Sequence, residues 1–108
     1  MTLYEAVKAE LLQYSASKST IDKALVDAGL EPSATYSASD KVNVARVVIT
    51  ILRRLVSLAS ENEGGFSQSY NVGELKKYLK LFAAENGLSD LVEDISTDDQ
   101  INDKSDIW

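Results

Sequence analysis

The chain has 108 residues, enough for one domain that buries roughly two thirds of its unfolded surface. It contains no cysteine and no histidine, which removes disulfides, thiol nucleophiles, ordinary Cys/His zinc sites and the commonest neutral-pH general base. Its net charge of −6 is uneven: residues 93–108 hold six acids against Lys104, whereas residues 1–92 hold 11 acids and 10 bases.

The first helix is expected from about Thr2 to Tyr14. Thr2 followed by Glu5 has the spacing of a capping box, in which each side chain satisfies an orphan amide of the first turn. Leu3, Val7, Leu11 and Tyr14 fall on one stripe, flanked by Ala6 and Leu12. A second, shorter helix begins at a cap on Ser19 or Thr20. Ile21, Ala24, Leu25 and Ala28 form its apolar face, and Gly29-Leu30 is the expected left-handed stop. Glu31 to Ser39, with the single proline Pro32, reads as a loop.

The third helix, about Ser39 to Ser60, is the expected spine. Val44, Val48, Ile51, Leu55 and Leu58 make one stripe, and Val42, Ala45, Ile49, Leu52, Val56 and Ala59 make another. A helix apolar on two sides has to be covered on two sides. Its β-branched content alone would permit a strand, but about 20 residues without a turn signal fit one helix. Arg46 and Arg53, seven apart, are placed on one face and with Arg54 form a candidate ion-pairing face for an acidic neighbour. The plain alternative is a solvated stripe with buried stems.

Between the third and fourth helices lies S-E-N-E-G-G-F-S-Q-S-Y-N, residues 60–71. It turns at Gly64-Gly65, then alternates Phe66, Gln68 and Tyr70 against Ser67 and Ser69, the period of a short extended strand. Helix connections in bundles are normally short and polar, so two large aromatics here point to an arm that pairs with another chain. The competing reading folds both rings back over their own bundle. The fourth helix is expected over Val72 to Asn86, with Asn71 and Glu74 spaced as a second capping box. Leu75, Tyr78, Leu79, Phe82 and Ala83 form its apolar face, Lys76, Lys77 and Lys80 lie mainly away from it, and Gly87-Leu88 is its stop. Ser89 to Ile95 suits a short terminal helix. The expected organisation is a helical domain over 1–95 and an acidic, disordered tail over 96–108, in which Trp108 is a candidate anchor. The fold class is therefore all-α: a four- to five-helix bundle with a long buried central helix and one short extended arm.

The pattern of a long apolar helix, then the acidic-Gly-aromatic-Ser-x-Ser-Tyr segment, then a Leu- and Lys-rich helix resembles the head–tail connector (head-completion adaptor) family of tailed bacteriophages. The likeness covers residues 40–88 and is carried by Glu61, Glu63, Gly64, Gly65, Phe66, Ser67, Ser69 and Tyr70. The opening of the chain differs from the family pattern, as does Asn62, and the Trp-ended tail has no counterpart in it. The resemblance implies a homo-oligomeric ring joining the portal to the tail, with portal and tail-completion proteins as partners and DNA passing through without sequence-specific binding. It implies a subunit interface at Glu61, Gly64, Gly65, Phe66, Ser67, Ser69 and Tyr70, and a virion protein present in the host cytoplasm before assembly.

No cofactor and no membrane segment are expected: the apolar runs fall short of the ~18 residues a bilayer needs. Neither is enzymatic activity, because no Gly-x-Ser-x-Gly, P-loop or calcium-loop pattern appears and the Ser-x-x-Lys at 15–18 has no partners. Two other classes remain: a small acidic regulatory or inhibitor protein acting by protein–protein binding, and a DNA-binding module using the arginine face and the fourth helix.

Overall fold

The computed structural model describes residues 1–14, 16–61 and 72–95. Four α-helices account for most of them: α1 (Leu3–Leu11), α2 (Lys18–Asp27), α3 (Lys41–Glu61) and α4 (Val72–Glu85). Single 3-10 turns at Ala38–Asp40 and Ser89–Val92 lead into α3 and follow α4. The all-α bundle is as the periodicity predicts. The short terminal helix expected over Ser89 to Ile95 is a 3-10 helix over Ser89–Val92.

The 21 residues of α3 make a rod about 30 Å long, and α1, α2 and α4 all pack against it. Val48, Ile49 and Leu52 are fully or almost fully buried, and Val44, Ala45, Val47, Ile51 and Val56 join them in one core. The two expected stripes need correction at three places. Val42 and Leu58, near the ends of the helix, remain 46% and 48% exposed. Val47, which the stripes leave out, is buried where α2 crosses. Among the described residues every buried side chain of this core is apolar.

Local chemistry sets the helix ends. The Thr2–Glu5 box forms: the Glu5 N–H donates to Thr2 Oγ1 at 3.1 Å and the Thr2 N–H to Glu5 Oε1 at 2.8 Å. At α2 the cap is Ser17, not Ser19 or Thr20; its hydroxyl oxygen accepts from the Thr20 N–H at 3.2 Å. Starting one turn earlier also gives Lys18 an i,i+4 partner in Asp22, at 2.6 Å.

Both Gly-Leu endings fold alike. The Leu30 N–H reaches back to the Leu25 carbonyl at 2.9 Å, and the Leu88 N–H to Ala83 at 2.7 Å. Gly29 and Gly87 adopt φ of +81° and +71°, the left-handed conformation this six-residue closure requires. The first helix ends differently. Leu12 takes φ 55° and ψ −127°, and the Tyr14 N–H donates to the Leu11 carbonyl at 2.9 Å, a turn of type II′ geometry. That turn swings Tyr14 into the core, where it is 3% exposed, and leaves Leu12 58% exposed.

Opposite stability changes follow at these positive-φ sites. Gly29→Ala meets no steric neighbour, so its cost is the backbone alone, about 1 kcal/mol. Leu12→Gly relieves the same kind of strain and raises stability by about 1 kcal/mol. Thermal unfolding followed by circular dichroism should show the two melting temperatures moving apart, each by roughly 4–8 °C from the parent.

Candidate functional site

The polar residues of α3 recur at Asn43, Arg46, Thr50, Arg53, Arg54 and Ser57, a strip left over by its apolar faces. One edge of this strip faces α2. Between the two helices lies a groove of about 220 Å³, floored by Ala24, Val47 and Ile51 and rimmed by Lys23, Arg46, Thr50 and Arg54. Arg46, Thr50 and Arg54 follow one another at i,i+4 spacing, so they stack along the groove. The Thr50 hydroxyl donates to the Arg46 carbonyl at 3.0 Å.

Three cations and one carboxylate, Asp27, line this groove. Lys23 and Asp27 pair across one turn of α2 at 2.6 Å, both largely exposed. Arg46 and Arg54 are exposed, and neither has a carboxylate within ion-pair distance among the described residues. The groove therefore presents two uncompensated guanidinium groups above a small apolar floor. Such a surface suits carboxylates or phosphates, which match the planar donor fork of arginine.

Arg53 is separated from these two. The expectation that Arg46 and Arg53 share a working face is corrected: Arg46 turns toward α2 with Arg54, whereas Arg53 turns toward the segment after α4. There it donates to both carboxylate oxygens of Asp94, at 2.8 and 3.0 Å, and to the Leu91 carbonyl at 2.9 Å. The hydrogen bonds from Arg53 hold Asp94 below its ordinary carboxylate value, and Asp94 raises Arg53 in turn. Arg53 thus pairs within its own chain, at the root of the acidic tail.

Lysines of α4 do not join this surface as a phosphate-binding set. Lys80 is directed to the Ile95 carbonyl at 3.0 Å, closing the same corner that Arg53 closes. On the other flank of α4, the Tyr78 hydroxyl donates to the Glu10 carbonyl at 2.6 Å and its ring lies 5.8 Å from Tyr14 and 5.9 Å from Phe82. Burial pushes the Tyr78 phenol up from its ordinary value. These contacts fasten α4 to α1.

Glu61 is the last residue of α3. Gly64, Gly65, Phe66, Ser67, Ser69 and Tyr70 lie outside the described residues, as do the extended arm they were expected to form, Asn71 of the second capping box, and Trp108 with the acidic tail. Lys23 on the rim of the groove and Asp94 as the partner of Arg53 were missed by the sequence reading. The i,i+4 pair Lys23/Asp27 was a usable signal for a charged face on α2; nothing in the sequence linked Asp94 to a residue 41 positions away. Among the described residues no three His, Cys, Asp or Glu side chains come together as a metal site, and no helix is long and apolar enough to cross a membrane.

The chain belongs to a family of unknown function, DUF6706, whose family model matches residues 1–108. No curated protein and no solved structure matches it.

The Arg53–Asp94 pair makes stability depend on pH with a definite sign. A depressed folded-state value means the stabilisation is complete above the unfolded carboxylate's ~3.9 and is lost as pH falls through the lower folded value. A carbon-13 NMR titration of the Asp94 carboxylate should place its midpoint below that reference, and Arg53→Gln should return it there. An Asp94 midpoint unmoved by Arg53→Gln would mean that the pair is not populated in solution.

Proposed function

We propose that this member of the family is a structural virion protein of a tailed phage or prophage, a ring-forming adaptor that joins the portal end of the head to the tail. The observation that carries this reading is the position of the segment with two aromatics. Residues 62–71 connect α3 to α4, two helices that pack extensively against each other. Antiparallel neighbours in a bundle need a connection of about 2–8 residues, and most such connections carry no large side chains. This one is longer and holds Phe66 and Tyr70 behind a Gly-Gly turn. It is also the part of the chain that resembles the phage connectors.

The physical logic is that of a heterologous contact. An extended segment on one subunit and a complementary surface on the next generate a head-to-tail series, which closes when the rotation per subunit permits. Backbone hydrogen bonds supply affinity, and alternate side chains select the partner. In this scheme Gly64 and Gly65 let the chain turn away from α3, Phe66 and Tyr70 are the anchors, and Ser67 and Ser69 are the small positions between them. Glu61 stands at the base of the segment. Portal and tail-completion proteins are the neighbours, DNA threads the ring without base-specific contacts, and the subunits wait in the host cytoplasm until assembly. The bundle itself is the rigid mount and needs no catalytic group or cofactor for this task.

Phe66→Ala combined with Tyr70→Ala tests the reading. The double variant should keep the helical circular dichroism of the parent and remain a monomer by light scattering when mixed with the portal, conditions under which the parent forms a ring. Loss of the helical signal would make both rings core residues and remove the basis for the proposal.

A further inference from the structure

We propose that the groove between α2 and α3 is the seat of the chain's own acidic tail, residues 96–108, and that this tail competes with any other acidic group for the same arginines. This inference is independent of the adaptor reading. It concerns a contact within one chain and holds or fails whether or not the chain builds a ring.

Charge is the first ground. Arg46 and Arg54 stand exposed without carboxylate partners among the described residues, with Lys23 on the opposite rim. The tail carries Asp98, Asp99, Asp103 and Asp106 against one base, Lys104. Half of the chain's net charge of −6 therefore resides in this tail of 13 residues, and two guanidinium groups without carboxylate partners lie among the described residues.

Position is the second ground. The tail is pinned at its root. Asp94 is held on Arg53 by two hydrogen bonds, and the Ile95 carbonyl accepts from Lys80. Arg53 and Arg54 are adjacent in sequence and so about 100° apart around α3, which puts the root of the tail little more than a quarter turn of the helix from the groove. Passing around a helix about 10 Å across takes four or five extended residues, which cover roughly 13–17 Å. That count brings Asp98 and Asp99 to Arg54.

Spacing along the groove agrees with this path. Arg54 and Arg46 are eight residues apart on α3, about 12 Å along its axis. Asp99 and Asp103 are four residues apart in an extended chain, about 13 Å. The successive pairs are Asp94 with Arg53, Asp98 and Asp99 with Arg54, and Asp103 with Arg46.

The tether favours the chain's own tail over that of a second copy. A short flexible link gives an effective concentration on the order of millimolar, above that of any free neighbour in a dilute solution. Each ion pair is exposed and weak alone, and all of them are screened by salt. The docked state is consequently one that an acidic partner or high ionic strength displaces.

Trp108 is the only tryptophan, so its fluorescence reports on the tail without a label. The full-length chain should show high steady-state Trp108 anisotropy at low ionic strength, a loss of that excess in ~1 M salt, where the screening length is about 3 Å, and no change on dilution. Arg46→Glu with Arg54→Glu should give the high-salt anisotropy even at low salt. Asp98→Lys with Asp99→Lys reads the same contact from the tail side, which keeps the test decisive if the arginine variant fails to fold. Anisotropy that is insensitive to salt and to the tail variant overturns the proposal. Anisotropy that falls on dilution together with the measured mass also overturns it, assigning the groove to a second copy.

Discussion

The covering of α3 is the constraint on which the rest of the structure depends. Its 21 residues carry apolar side chains over most of the circumference, and a single helix in water cannot hide them. Burying a Val, Leu or Ile side chain is worth about 1.5–3 kcal/mol before conformational entropy is counted. Val48, Ile49 and Leu52, at 0–1% exposure, collect most of that gain because α1, α2 and α4 each occupy a separate flank. Three covering helices leave only a narrow polar strip, and the strip is where every arginine of the chain sits. The groove beside α2 is thus a by-product of core packing. The helix that buries Val47 and Ile51 also brings Lys23 opposite Arg46 and Arg54.

Most of the fold was legible in the sequence because its determinants are local. A capping box joins residues three apart, and a Gly-Leu stop closes a loop of six. Thr2–Glu5, Gly29-Leu30 and Gly87-Leu88 accordingly behave as their spacing predicts. The start of α2 was misplaced because Ser17, Ser19 and Thr20 are all competent caps, and the choice among them depends on which register brings Ile21 and Leu25 under α3. Leu12 is a different kind of miss. Its positive φ contradicts residue preference, and it is tolerated because the same turn buries Tyr14 against Tyr78. Strain at Leu12 is offset by the placement of Tyr14, two residues on.

The candidate site was less legible, because its determinants are not local. Helical spacing groups Arg46 with Arg53, since seven residues make nearly two turns. Long arginine side chains do not have to follow their Cα atoms, and a bidentate carboxylate 41 residues away redirects Arg53. The same holds for Tyr78, whose hydroxyl finds the Glu10 carbonyl across 68 residues. Periodicity places a side chain on a face and says nothing of the partner that fixes it there. Phe66 and Tyr70, on which the adaptor reading turns, lie outside the described residues, so that reading rests on the sequence pattern and on the length of the connection.

Arg53 and Arg54 show how adjacent residues come to serve different ends. Arg53 is part of the fold: its two carboxylate bonds and its carbonyl bond fix the turn after α4, and its charge is spent on Asp94. Arg54 is one step around the helix and keeps its charge. The near-neutral balance of residues 1–92 does not cancel that local field, because at physiological salt charges more than about 8 Å apart are largely screened from one another. A body with no net charge can therefore hold a groove of definite sign. An acidic segment rooted near that groove has a short path into it, and under the proposed docking an acidic partner would first have to dislodge the segment. If the tail docks as proposed and the chain assembles into a ring, the tail sets a threshold that a neighbouring subunit or portal surface must exceed, and the threshold falls as ionic strength rises.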